Sequence, residues 1–139
     1  MAITYKFSGH ESFPCKSLWL KKGYDFVANQ NDFNSPDAVI TLGVGKNMVA
    51  SIRFWLRAFG ITDNDALTEL GNYLFDESKG KDKYLEDIAT LWLLHFNLVF
   101  SEEATLYKMY LCSRIQTKIN GTQTFEPPKG GIGREEYDE

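Results

Sequence analysis

Cysteine is nearly absent. Cys15 and Cys112 are the only two in 139 residues, which rules out a disulfide framework. Long apolar runs are missing too. The longest strongly apolar stretch, Ile88 to Phe100, contains His95 and Asn97 and is too short to span a bilayer. The first residues, MAITYKFSGHESFP, hold no basic segment followed by an apolar one, so no secretory signal is expected. Positive charge is not in excess. Fifteen Lys and Arg against nineteen Asp and Glu leave a net charge of −4, which excludes coating nucleic acid by bulk charge but not by a local basic patch. No strong catalytic motif and no internal repeat stand out. The expectation is a reduced, cytoplasmic, soluble protein.

What is present describes an ordinary core with unusually many rings. Hydrophobic residues make up 43% and charged residues 24%, while aromatics reach 14%. A chain of this length suits one domain and hides roughly two-thirds of its unfolded surface. Residues 1–16 read as an extended entry, with weak alternation over Thr4–Phe7. Ser17 is a candidate cap for a helix to about Asn29, with Lys21 and Lys22 solvated. Asn29–Ser35 is a loop. Ser35-Pro36-Asp37 is a helix start, with Ser as N-cap and Pro in the first turn. The short helix from Asp37 stops at Gly43. Asn47 is a candidate cap for a helix from Met48 to about Phe59, on which Val49, Ile52, Trp55, Leu56 and Phe59 form one buried face. Gly60 ends it. Further helices are expected over Glu69–Phe75, over Leu85–Phe100 (buried on most sides, given its apolar run) and over Glu103–Ile115. Asn120 to Glu139 reads as a flexible acidic tail.

Residues 36–71 have the layout of a winged helix-turn-helix. A short helix, the Gly-containing turn Leu42–Asn47 and a second helix set up the steep helix pair. Phe59-Gly60-Ile61 then leads into a wing, and Leu67–Gly71 returns from it. Charge follows the same layout. From Ala38 to Ile61 there are three cations, Lys46, Arg53 and Arg57, and no acid; from Thr62 to Asp87 eight acids face three lysines. Arg53 and Arg57 share a helix face. Lys46, Asn47 and Ser51 lie near the helix start, where a recognition helix meets bases and phosphates. The candidate nucleic-acid-binding set is therefore Lys46, Asn47, Ser51, Arg53 and Arg57. Phe54 is the misfit, a large ring on the nominally outer face, which points instead to contact with protein.

Several blocks carry a resemblance. Phe7-Ser8-Gly9-His10-Glu11-Ser12-Phe13-Pro14, Trp19-Leu20-Lys21-Lys22-Gly23-Tyr24-Asp25, Leu42–Val49 with Ser51-Ile52-Arg53 and Trp55, Leu67–Gly71, and Tyr84–Asp87 with Ala89–His95 together resemble a bacterial family numbered 4007 among the domains of unknown function. The resemblance spans about residues 5 to 107, and the last twenty residues depart from it. It implies a chain about half the usual family length. It also implies a setting beside phosphoadenosine-phosphosulfate-reductase-like proteins in DNA-sulfur-modification and phage-defence loci. The family carries over no catalytic residues.

Other constellations are weaker. Gly43-Val44-Gly45-Lys46 lacks both ends of a phosphate loop, with Ile40 and Asn47 where Gly and Ser/Thr belong. His10, Cys15, His95 and Cys112 lack the close pairs of structural zinc, and His95 reads as a hydrogen-bonded core histidine. His10 and Glu11 could serve as a base and its partner, but neighbours on an extended chain point apart. Glu86 and Asp87 suit the start of the Leu85–Phe100 helix as caps. The expectation is a mainly α domain over residues 1–119, winged helix-turn-helix-like with a small β wing and additional C-terminal helices, followed by the tail at 120–139. Its function is expected to be non-enzymatic binding of double-stranded DNA, without cofactor, metal or membrane. The alternative is a protein-interaction subunit docking a reductase-like or nuclease partner.

Overall fold

The computed structural model of the chain describes residues 9–110. The weakly alternating stretch Thr4–Phe7, Cys112, the expected end of a helix at Ile115 and the expected tail lie outside the described residues. The elements run α1 (Trp19–Ala28), α2 (Ala38–Leu42), α3 (Lys46–Ala58), β1 (Thr62–Asp63), β2 (Ala66–Leu67), α4 (Glu69–Phe75) and α5 (Ile88–Phe100), and residues 105–110 are again helical. The fold is mainly helical with one small antiparallel ribbon, a winged-helix-like arrangement.

Helix α3 is the centre of the core. Its Val49, Ile52, Trp55 and Leu56 are buried, as the spacing predicts, while Phe59 on the same expected face is half-buried. Helix α1 lies against it so closely that a Cβ on Gly23 would stand 2.6 Å from Leu56 Cδ1 and 2.9 Å from Ile52 Cγ2. Phe54 is buried rather than outward-facing. The segment at Gly9 covers it, leaving only 2.7 Å between Phe54 Cδ2 and a Cβ built there. Trp55 Nε1 donates to the Phe13 carbonyl at 3.0 Å, so two adjacent rings of α3 fasten the N-terminal segment.

Helix ends follow local rules, with some shifts. Gly43 is left-handed at φ 62°; Gly43 N–H donates to Ile40 and Val44 N–H to Val39, both at 3.2 Å, a glycine-terminated Schellman end. Gly60 repeats it, with Gly60 N–H on Arg57 and Ile61 N–H on Leu56. Helix starts differ more. Leu18, left-handed, precedes α1 in place of a Ser17 cap. Ser35 Oγ accepts from Asp37 N–H at 3.3 Å, so it makes the turn before α2 and the helix begins at Ala38. Gly45, not Asn47, stands at the N-cap of α3.

The wing is a two-residue hairpin. Thr62 pairs with Leu67 and Asp63 with Ala66, and Asn64 and Asp65 both have positive φ, 47° and 62°, as a type I′ turn requires. Thr68 ties its base to the helices. Its Oγ1 donates toward the Gly60 and Ile61 carbonyls and accepts from Gly71 N–H at 3.1 Å as the α4 cap.

Further sequence expectations are overturned. Lys21 is buried, donating to Asp25 Oδ1 at 2.6 Å, Glu77 Oε2 at 3.3 Å and the Phe75 carbonyl at 3.4 Å; Lys22 remains exposed but donates to the C-terminal carbonyl of α2 at Leu42. Helix α5 starts at Ile88, three residues later than the expected Leu85, because Leu85 is left-handed and Asp87 Oδ1 caps Ala89 N–H at 2.8 Å. Among the described residues it is buried on one side only, through Thr90, Leu94, Leu98 and Val99. His95 is correspondingly exposed and meets the Trp92 ring edge-on, so it is not a core histidine.

Candidate nucleic-acid interface on helix α3

The first turn of α3 leaves its backbone donors uncapped by side chains and carries no acid. The positive end of its dipole therefore faces outward beside exposed Lys46 and Asn47. From there Lys46, Ala50, Arg53 and Arg57 fall at i, i+4, i+7 and i+11, one stripe along the helix. The loop and turn at Phe33–Val39 form the opposite wall. Between them runs a groove of about 700 Å³ lined by Lys46, Arg53, Arg57, Asn34, Ser35 and their neighbours.

The three cations are held differently. Lys46 is exposed. Arg53 is half-buried and gripped: Nε donates to Asp65 Oδ1 at 2.9 Å, Nη2 pairs with Asp65 Oδ2, and Nη1 donates to Asn34 Oδ1 at 3.1 Å. Its guanidinium also lies 5.9 Å from the Phe33 ring centre. The Asp65 hydrogen bonds raise the Arg53 pKa above its ordinary value, against the opposing effect of burial. Arg57 Nε is buried without a hydrogen-bond partner. Arg57 lines the same groove, but this nitrogen is shut off from solvent, so an anionic oxygen would have to meet the outer guanidinium nitrogens.

Ser51 does not belong to this surface. It is 0% exposed and its Oγ has no partner, so the expectation that it sits near base edges is corrected. Being one position past Ala50 turns it about 100° toward the core. Asn47 is exposed at the helix start but outside the groove lining. Sequence reasoning missed Asn34 and Asp65. Asn34 lay within a stretch read only as loop, and Asp65 counted only as one of the wing-side acids; no local pattern pairs either with a residue many positions away.

The remaining candidates have structural settings. The Gly43–Lys46 run is a helix end followed by a helix start, consistent with turn geometry. His10 stacks on Trp55 at 5.9 Å and 12°, and meets the edge of Phe54. Its carbonyl accepts from Phe13 N–H at 2.8 Å, while Glu11 is exposed at φ 49°. Burial pushes the Cys15 thiol up to about 12, the setting of an inert packed thiol. Among the described residues no group of three or more His, Cys, Asp or Glu side chains could hold a metal ion, and no helix is long and apolar enough to cross a membrane.

Comparison with known proteins places this geometry in context. The model of a family described as a protein of unknown function, DUF4007, matches residues 7–135, further toward the C-terminus than the quoted blocks reach, so the departure expected of the last twenty residues is corrected over most of that segment. An SspB crystal structure is similar at 39% identity with a TM-score of 0.62, covering 70% of this chain and 32% of its own. A magnesium-ion-bound SspB crystal structure is similar at 36% identity and a TM-score of 0.59, with the same coverage. This chain thus spans about a third of the length of those solved chains. Among curated proteins none matches.

Proposed function

The chain belongs to the DUF4007 family, and from that premise we propose that it is a non-enzymatic, DNA-contacting component of a bacterial DNA-modification or phage-defence system. The observation that carries the reading is the groove along α3, where Lys46, Arg53 and Arg57 concentrate positive charge on an otherwise acidic chain. Arg57 and Lys46 bind backbone phosphates, and Asn47, exposed at the first turn, is the residue placed to meet a base edge. The similarity to SspB chains supports the same setting. Because this chain matches only part of their length, whatever the longer chains do is proposed here only for the portion shared.

The test is fluorescence anisotropy with a labelled duplex, plain and phosphorothioated. Micromolar binding that is reduced at least tenfold by Lys46→Glu with Arg57→Glu is the expected result. Duplex affinity untouched by that double reversal would remove α3 from the interface.

A second reading, a subunit that docks a reductase-like or nuclease protein, has one observation in its favour. Helix α5 leaves a large apolar face uncovered among the described residues, which suits protein and not nucleic acid. Co-purification of a protein partner with no DNA in the complex would favour it.

A further inference from the structure

The exposed face of α5 is the most anomalous surface among the described residues. Ile88 and Trp92 are each 67% exposed, Phe96 60% and Phe100 56%, with Leu91 and Leu93 also open. Helix α5 contains no Asp, Glu, Lys or Arg. The rings pair along the helix: Trp92 meets His95 edge-on, and Phe96 and Phe100 lie 4.6 Å apart. Six such side chains, each leaving on the order of 100 Å² open, expose on the order of 600 Å². That is at the upper limit for a lone soluble domain and close to the roughly 800 Å² per partner of a stable interface.

We infer that this face binds a second copy of the same chain, α5 against α5, antiparallel about a two-fold axis midway between Trp92 and Phe96. The distribution of side chains along the stripe carries the choice. The N-terminal half presents Ile88 and Leu91 around a shallow hollow of about 270 Å³, bounded by Trp92 and His95. The C-terminal half presents the projecting rings of Phe96 and Phe100. Antiparallel pairing sets Ile88 opposite Phe100 and Trp92 opposite Phe96, so each copy's rings fill the other's hollow. The surface is therefore self-complementary, as a two-fold interface demands. A helix of thirteen residues gives about 20 Å of contact, and the absence of charge leaves no feature that selects a differently charged partner. Antiparallel axes also align the two helix dipoles favourably.

Sedimentation equilibrium of the purified chain at about 10 μM and about 100 μM tests this. The expected mass is twice the 15.9 kDa of the chain. Phe96→Glu and, separately, Ile88→Glu are each expected to weaken the dimer at least tenfold with an unchanged far-ultraviolet circular dichroism spectrum, since both side chains stand in solvent. A chain that stays monomeric at the higher concentration overturns the proposal. So does a dimer that both variants leave intact, association into species of no defined mass, or a stable complex in which a different protein covers α5.

Discussion

Arg53 is the residue whose state most shapes the groove. Asp65 holds its guanidinium through two bonds, in the geometry with which a phosphate would be held. Under the proposed function its carboxylate and a DNA phosphate would compete for the same donors. Removing the carboxylate in Asp65→Ala frees one cation, and duplex affinity is expected to rise about three- to tenfold, with a salt dependence steeper by about 0.9 in log–log slope for the added phosphate contact. Anisotropy titrations at several salt concentrations check this; unchanged or weaker binding would show that Asp65 supports the site by positioning Arg53. The pairing also marks where sequence reading stops at this scale. Arg53 and Arg57 are legible as one helix face from their i, i+4 spacing, and Lys46 as a cation at the helix start. That Arg53 meets the wing depends on the fold of the hairpin. Ser51 was misplaced because a single 100° step separates an outward position from the core.

Among the elements, the wing and α4 depend on Thr68. Its one hydroxyl proton is shared between the Gly60 and Ile61 carbonyls just past α3, and its oxygen caps Gly71 N–H. Thr68→Val keeps the shape and removes all three bonds, with an expected loss of about 1–2 kcal/mol, read as a shift of the urea midpoint. A change below about 0.3 kcal/mol would mean that the cap is replaced by water. The order of helices, the glycine stops at Gly43 and Gly60 and the span of α4 were all readable from local chemistry. The wing was readable as a position, but its tight turn was not, because Asn64-Asp65 lacks the glycine that usually announces one. Helix α5 misled for the opposite reason. A uniformly apolar run implies burial on all sides, yet the described residues cover one side alone. Periodicity reports what a helix can bury and is silent on whether the same chain supplies the cover.

Over the whole molecule, acid stability should be set by the loop between α4 and α5. Asp76 accepts from the Lys79 and Ser78 backbone N–H groups and the Ser78 hydroxyl, which hold its carboxyl below the ordinary 3.8. Burial pushes Asp82 up, but N–H donation from Glu86 and Asp87 outweighs it, and its carboxyl is also lowered. Carboxyls depressed in the folded state add stability above their unfolded value and lose it as pH falls through the folded value. The urea midpoint should therefore stay level from pH 7 to about 5 and drop below about 4. Asp82→Asn should lower the midpoint at neutral pH and shrink that drop; a drop of the same size would assign the acid lability elsewhere.

Phosphate contact by a locally basic groove on an acidic chain is what the proposed function requires. The salt dependence of duplex affinity measures this most directly. With two or three phosphates neutralised by Lys46, Arg57 and, in part, Arg53, the log–log slope should lie at about −2 to −3 for the unmodified chain. It should fall to about −1 or less when Lys46 and Arg57 are both replaced by alanine. A slope near zero, or no binding at the lowest salt, would contradict the account and leave the apolar face of α5 as the working surface of the protein.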